Sequence, residues 1–222
     1  MKFIFETELL DYLEKNAYSA AFSDILDEMD YRYQVVSPHT RILPLKQDTV
    51  VIGRAVTLLN ENDGNKVEPY ETVIECIDSL KPDSILVTTG TQRFTTGIMG
   101  ELTATALHVR KSRGAIVNGY TRDAKKIIKM NFPTFALGSS PIDTTGRVRV
   151  VDYNIPITIG GVKISPGNLV FADMDGIIVI PEAIEKEVID EVIKRISTEN
   201  VVRKELSEGK SMAEVWSKHH VL

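Results

Sequence analysis

Gly97-Ile-Met-Gly-Glu-Leu-Thr-Ala-Thr-Ala-Leu-His-Val-Arg-Lys-Ser-Arg-Gly-Ala-Ile-Val-Asn-Gly-Tyr-Thr-Arg-Asp123 carries in one stretch the signals that decide the fold. It follows an apolar run, Ser84–Thr89, that reads as a strand. Gly97 and Gly100 make a glycine-rich entry to a helix of good helix formers over Glu101–Ser112. The short run Ala115–Val117 reads as a buried strand ending at Asn118-Gly119, with Arg122-Asp123 just past it. The unit is β–loop–α–β–loop. In open α/β sheets a helix N-terminus and a strand C-terminus can meet at one ligand crevice. Unpaired N–H groups at the helix start attract a carboxylate or phosphate, and a guanidinium adds a bidentate fork for the same anion. Glu101 and Asp123 offer hard oxygen ligands suited to Mg²⁺ or Mn²⁺. Together these groups suggest metal-assisted chemistry on a small oxo acid.

Outward from this centre, the chain reads as alternating helices and strands. Phe5–Ala17 and Ser19–Met29 are amphipathic helices, Asp30–Asp48 is irregular, and Thr49–Leu59 is a strand with Gly53 as a bulge or close approach. Glu61–Pro69 is a polar loop and Tyr70–Ser79 a helix. Arg122–Met130 is a further helix, or alternatively Arg122-Asp123 only caps one; Phe132–Leu137 is a strand. Short β runs then fill Gly146–Pro181, with hairpin signals at Gly160-Gly161 and Asp175-Gly176. A long helix from Glu182 to about Arg203 and a short one opened by the capping box Ser211-Met-Ala-Glu complete the pattern. No linker divides residues 1–222, so a single domain is expected, an α/β core with a second β layer.

Composition narrows the function. The 222 residues are 43% hydrophobic, enough for a full core, and the net charge of −5 argues against a nucleic-acid surface. The lone Cys76 has apolar helical neighbours and reads as a buried thiol, which with the absence of a signal-like start points to the cytoplasm. No apolar run of about 18 residues is present to span a membrane. His39, His108, His219 and His220 show no metal-ligand spacing; the last two are expected to fray and His108 to sit on a helix surface. Asp173 and Asp175 read as turn residues. There is neither a P-loop nor a dinucleotide fingerprint, and the only lysine of the central stretch, Lys111, sits beside Arg110 and Arg113, poorly placed for a Schiff base.

Glu101, then the twenty residues Leu102–Thr121, then Arg122-Asp123, resembles the motif of the RraA-like family. Phe22-Ser-Asp-Ile-Leu-Asp-Glu, Gly53-Arg-Ala-Val-Thr and Pro166-Gly-Asn-Leu-Val-Phe-Ala-Asp-Met-Asp-Gly-Ile-Ile-Val-Ile-Pro181 extend the resemblance over nearly the whole chain. Asn168 stands where the family usually has Asp, at a turn position that suits either. One branch of the family comprises class II pyruvate aldolases acting on 4-hydroxy-4-methyl-2-oxoglutarate and 4-carboxy-4-hydroxy-2-oxoadipate; the other is the regulator of ribonuclease activity A.

The resemblance implies a swivelling β/β/α fold assembled as trimers or dimers of trimers. It implies a lyase using Mg²⁺ or Mn²⁺ that cleaves a 4-hydroxy-2-oxo acid to pyruvate through an enolate, with oxaloacetate decarboxylation at the same site. Asp123 resembles the direct metal ligand. Glu101 resembles the acid holding the metal through water, and Arg122 the residue on the pyruvyl oxygens. The backbone amides of Gly100, Glu101, Leu102 and Thr103 resemble the carboxylate cradle. Glu199, in Glu199-Asn-Val-Val-Arg203, resembles a glutamate that reaches the metal from a neighbouring subunit, although it also reads as part of a solvated helix face. Glu101 likewise fits a plain first-turn acid complementing the helix dipole. The rival reading is a non-catalytic protein that binds and inhibits an RNA-processing ribonuclease.

Overall fold

The computed structural model describes residues 6–64, 70–90 and 95–221. Two helices open the chain, α1 (Glu6–Asn16) and α2 (Ser19–Glu28), followed by the two-residue strand β1 (Leu43–Pro44) and the long β2 (Val51–Asn62). Then come α3 (Glu71–Asp78), β3 (Ser84–Thr88), β4 (Gly97–Met99), α4 (Glu101–Val109), β5 (Gly114–Thr121), α5 (Ala124–Lys129) and β6 (Thr134–Ser139). The second half holds β7 (Val148–Tyr153), β8 (Ile157–Ile159), β9 (Val162–Ile164), β10 (Leu169–Ala172), β11 (Ile177–Ile180), α6 (Glu185–Ser207) and α7 (Met212–His219).

The main sheet runs β1-β6-β5-β3-β2-β10-β11, with β4 added to β5 and β7 added to β2. Its centre is parallel: β2, β3, β5 and β6 pair in the same direction. Strands covered on both faces should be continuously apolar, and β3 is buried at every position. The β-rich second half does not build a wholly separate layer. β2 is long enough to pair with β10 along residues 51–54 and with β7 along 58–62, both antiparallel, so three of the five late strands join the first sheet. Only β8 and β9 stand apart, joined at Gly160-Gly161.

Packing explains the layers. Side chains alternate across a strand, so β2 sends Ile52 to one face and Val51 to the other. On one face Ile52, Leu169 and Phe171 meet α1, α2 and α6 through Leu13, Phe22 and Val192; Phe22 and Phe171 lie 4.8 Å apart, centroid to centroid. On that face too, Leu86, Ala115 and Val117 meet Cys76 of α3, Leu107 of α4 and Ile127 of α5. The opposite face, with Val51, Val87, Ile116 and Phe135, is covered by Ile157, Ile159, Val162 and Ile164 of the β8–β9 hairpin. The order is small β layer, main sheet, helices, a β/β/α arrangement.

Several boundaries differ from the sequence expectation. β5 does not stop at Asn118-Gly119: after a shift in register its Tyr120 and Thr121 pair with Gly97 and Met99 on one side and Gly138 and Ser139 on the other. β4 itself was not anticipated. Helix α4 ends at Val109, because Lys111 takes φ 60° and turns the chain toward β5. Helix α5 starts at Ala124 rather than Arg122, since Asp123 is left-handed at φ 58°. Glu61 and Asn62, expected in a loop, belong to β2, where β7 holds them; residues 65–69 of that loop, and Phe5 of the first expected helix, lie outside the described residues. The long C-terminal helix begins at Glu185 after a 3₁₀ turn and stays packed beyond Ile196, with Val202 and Glu205 buried. His219 does not fray: its Nε2 is 3.0 Å from the Glu205 carboxylate, which also accepts from Lys218 and Lys210. These contacts, Lys218 first, hold the Glu205 carboxyl down to about 2. Gly53 marks a close approach, not a bulge, because a Cβ there would lie 2.5 Å from the Asp83 carbonyl oxygen.

Candidate active site at the start of helix α4

The junction of β4 and α4 is pressed against the segment after β5. The Arg122 N–H donates to the Met99 carbonyl at 2.8 Å, and Gly97 donates to the Ile142 carbonyl at 2.9 Å. A side chain at either entry glycine would fill this contact. A Cβ on Gly97 would lie 2.7 Å from the Ser140 carbonyl oxygen, and one on Gly100 would lie 3.0 Å from Arg122 Cγ and 3.2 Å from Asp123 Oδ2. The two glycines therefore let Arg122-Asp123 lie on the helix start.

Gly100 is the N-cap of α4 and contributes no side-chain cap. Asp123 supplies one from across the junction: its Oδ2 accepts from the Glu101 N–H at 3.4 Å. The first intrahelical bond runs from the Ala104 N–H to the Gly100 carbonyl, so the amides of Leu102 and Thr103 precede the helical ladder. Glu101, Leu102 and Thr103 line a cleft of about 590 Å³ together with Gly100, Arg122 and Asp123. The structure thus gathers six of the seven site residues expected from sequence.

Arg122 is held by a residue that sequence reasoning missed. Its Nη1 donates to Asp143 Oδ1 at 2.6 Å, while its Nε stays 3.8 Å from Asp123 Oδ2. Asp143 is fixed in turn by the Thr145 hydroxyl at 2.6 Å and the Thr145 N–H at 3.1 Å. The Thr145 hydroxyl bond, aided by backbone donors and the Arg122 charge, keeps the Asp143 carboxyl below the usual range. The only sequence cue was an Asp-Thr-Thr-Gly turn, common to many loops. Glu101 meets weaker partners: Thr105 Oγ1 donates to its carboxylate at 3.2 Å, and Lys126 Nζ is 3.6 Å away.

Asp123 and Glu101 are therefore two hard-oxygen donors beside one helix start, each with its nearest cation at ion-pair rather than hydrogen-bond distance, Arg122 Nε at 3.8 Å and Lys126 Nζ at 3.6 Å. Gly100 keeps a Cβ away from the Asp123 oxygen. Such a donor set fits a divalent cation that retains water ligands, as Mg²⁺ does. Among the described residues no group of three or more His, Cys, Asp or Glu is placed to hold a metal ion.

Glu199 lies elsewhere in the chain, on α6, where it accepts from the Tyr18 hydroxyl at the start of α2; burial pushes its carboxyl up. It is half-buried rather than on a solvated face. Asp173 is a turn residue, as expected, and also ties α2 to the β10–β11 turn by accepting from the Ser19 N–H and hydroxyl at 2.8 and 2.7 Å. Its other acceptor contacts are the Asp175 and Gly176 N–H groups of its own turn. His108 is exposed on α4, edge-on to Phe132. Cys76 is buried and its thiol is pushed up to about 11 by desolvation. No helix among the described residues is long and apolar enough to cross a membrane.

Comparison with known proteins agrees with this architecture. Protein DlpA of Legionella pneumophila is 30% identical over 198 residues, 89% of this chain, and the chain spans only 31% of that protein's length. A Halalkalibacterium halodurans protein provisionally named 4-hydroxy-4-methyl-2-oxoglutarate aldolase is 27% identical over 76% of this chain and 77% of its own. The solved structure of a Streptomyces coelicolor protein, described as an unusual member of the RNase ES inhibitor RraA family, superposes with a TM-score of 0.79 at 25% identity, over 90% of this chain and 98% of that one. The RraA-like family model, described as Aldolase/RraA, matches residues 20–179, and the chain belongs to this family.

Proposed function

We propose that this member of the Aldolase/RraA family is a carbon–carbon lyase that cleaves a 4-hydroxy-2-oxo acid to pyruvate and a second carbonyl compound. The observation that carries the reading is the convergence of the Arg122 guanidinium and the Asp123 carboxylate on the N-terminus of α4. An anion-binding helix start, a guanidinium and two carboxylates suit a 2-oxo acid better than an uncharged ligand.

Asp123, with Glu101 acting through water, would hold a divalent cation, Mg²⁺ or Mn²⁺. When bound, the cation supplies Lewis-acid stabilisation of negative charge on the substrate's ketone oxygen. The chain's own residues do the rest. The amides of Leu102 and Thr103 bind the C1 carboxylate, and Arg122 donates to the oxo-acid oxygens where charge grows as the C3–C4 bond breaks. Asp143 holds the guanidinium in register by taking one of its donors. A water held by Glu101 takes the proton from the C4 hydroxyl; the electron pair of the C3–C4 bond moves to C3, and a proton is returned there to give pyruvate. The same groups would serve decarboxylation of oxaloacetate.

The reading extends to assembly. The domain of residues 1–222 would work as a trimer or a dimer of trimers in the cytoplasm, with Glu199 of one subunit approaching the site of the next. It calls for no nucleic-acid or membrane partner.

The second reading, a non-catalytic ribonuclease inhibitor, draws on the likeness to the Streptomyces protein and the inhibitor family to which that protein is assigned. The complete set Glu101, Arg122 and Asp123 around one cleft favours the lyase, because an inhibitor has no need of it. Pyruvate release from oxaloacetate with Mg²⁺ or Mn²⁺, measured above the release by the metal ion alone, separates the two: the lyase reading expects protein-dependent, chelator-sensitive release, and its absence contradicts that reading.

A further inference from the structure

Away from the helix start the cleft changes chemistry. Its other side is formed by Val73, Ile74 and Ile77 of α3, with Tyr70 ahead of them and Leu102 on α4. Leu102 is 80% exposed and Ile74 55%, so large apolar side chains face open space beside a polar site.

The charge distribution is one-sided. The ionised groups lining the cleft, among the described residues, are the carboxylates of Asp78, Glu101, Asp123 and Asp143 and the single guanidinium of Arg122. Asp78 is taken up by Arg110, and Arg122 already gives one donor to Asp143. A substrate carboxylate at the far end of the cleft would meet an apolar wall and Asp78, with no cation among the described lining residues to pair it. Desolvating an unpaired carboxylate is costly, whereas an apolar group in the same place gains by leaving water.

Resting on the reading above, we infer that the site takes 4-hydroxy-2-oxo monoacids with an apolar group on C4, rather than the oxo diacid in its relative's name. Cleavage then releases pyruvate and an apolar aldehyde or ketone. The C3–C4 bond breaks, the C4 hydroxyl loses its proton as the new carbonyl forms, and C3 gains a proton. No oxidant or reductant is required. Val73, Ile74 and Leu102 are the specificity-determining side chains, and the oxo-acid end stays with Arg122 and the α4 amides.

The test uses unreactive analogues and the full-length protein with Mg²⁺. Calorimetry compares pyruvate, 4-methyl-2-oxopentanoate and 2-oxoglutarate, which share the oxo-acid head and differ beyond it. The expected result is 4-methyl-2-oxopentanoate binding at least about tenfold more tightly than 2-oxoglutarate, the scale of discrimination an apolar pocket supplies. Ile74→Arg should shift that ratio toward 2-oxoglutarate by a similar factor. Tighter binding of 2-oxoglutarate to the unmodified protein would overturn the inference while leaving the lyase reading in place. An unchanged ratio in Ile74→Arg, with loss of assembly by light scattering, would overturn it too and make the wall a subunit contact. Failure of pyruvate both to bind and to exchange its methyl protons with D₂O would instead remove the lyase reading, and the inference with it.

Discussion

Arg122 Nη1 and Asp143 Oδ1 stand 2.6 Å apart, joining the residue after β5 to the loop after β6. Both side chains are about two-fifths exposed, so this ion pair contributes little to folding. Its consequence is orientation: Arg122 has one donor committed, which limits how the guanidinium can turn in the cleft.

Asp143→Asn removes the charge and keeps the shape. The account expects kcat/KM to fall by about tenfold or more, with the thermal midpoint nearly unchanged, since exposed pairs are worth about 0–1 kcal/mol. Asp143→Glu should recover part of the activity. The Asp143 carboxyl titrates below its ordinary value, so the pair persists through neutral pH. What it contributes is present above the unfolded pKa and is lost as pH falls through the lower folded one. An acidic limb of the pH–rate profile above about pH 5 should therefore be the same in Asp143→Asn.

Arg122→Lys keeps the charge and loses the planar fork. A loss on the order of 10²-fold in kcat/KM is expected, comparable to removal of an oxyanion donor. Steady-state kinetics showing less than about a threefold change would mean that the guanidinium does not touch the reacting oxygens.

Gly100→Ala tests the close approach of the two segments. The added methyl would lie 3.0 Å from Arg122 Cγ and 3.2 Å from Asp123 Oδ2, so the pair must shift away from α4. A displacement of about 1 Å near the chemistry can cost about 10²-fold, and a loss of that order is expected with circular dichroism unchanged. Wild-type kinetics would show that the pair can yield without consequence.

Glu199 tests the shared site. In an oligomer, Glu199→Gln should lower turnover without changing the mass by light scattering. Deleting residues 198–222 should lower metal-dependent turnover further, and it also removes the packed Val202 and Glu205. A fully active monomer would contradict a shared site and leave the roles of Arg122 and Asp123 untouched.

The sequence exposed what local chemistry determines. β3 and the first half of β5 were legible because their buried centres, Ile85–Val87 and Ala115–Val117, are continuous apolar runs, and β10–β11 because Asp175-Gly176 is a hairpin turn. β4 was hidden because three residues, one of them glycine, carry no periodicity; only pairing with β5 makes them a strand. Glu101, Arg122 and Asp123 could be nominated from their residue types at a helix start and a strand end, and from the resemblance of their spacing to the family motif. Asp143 could not, since β6 and the Ser140–Thr121 backbone bond bring it to Arg122. The apolar wall is tertiary in the same sense: Ile74 and Leu102 are far apart in sequence and share a cleft only because α3 and α4 pack on one sheet face.

Pyruvate release from a 4-hydroxy-2-oxo acid is to be followed for the 222-residue chain and for its Asp123→Asn variant, each with Mg²⁺ and with a chelator. The account predicts release by the unmodified protein that the chelator abolishes and fresh Mg²⁺ restores, and none by the folded variant at any metal concentration. Equal release by both proteins, indifferent to the chelator, would contradict it.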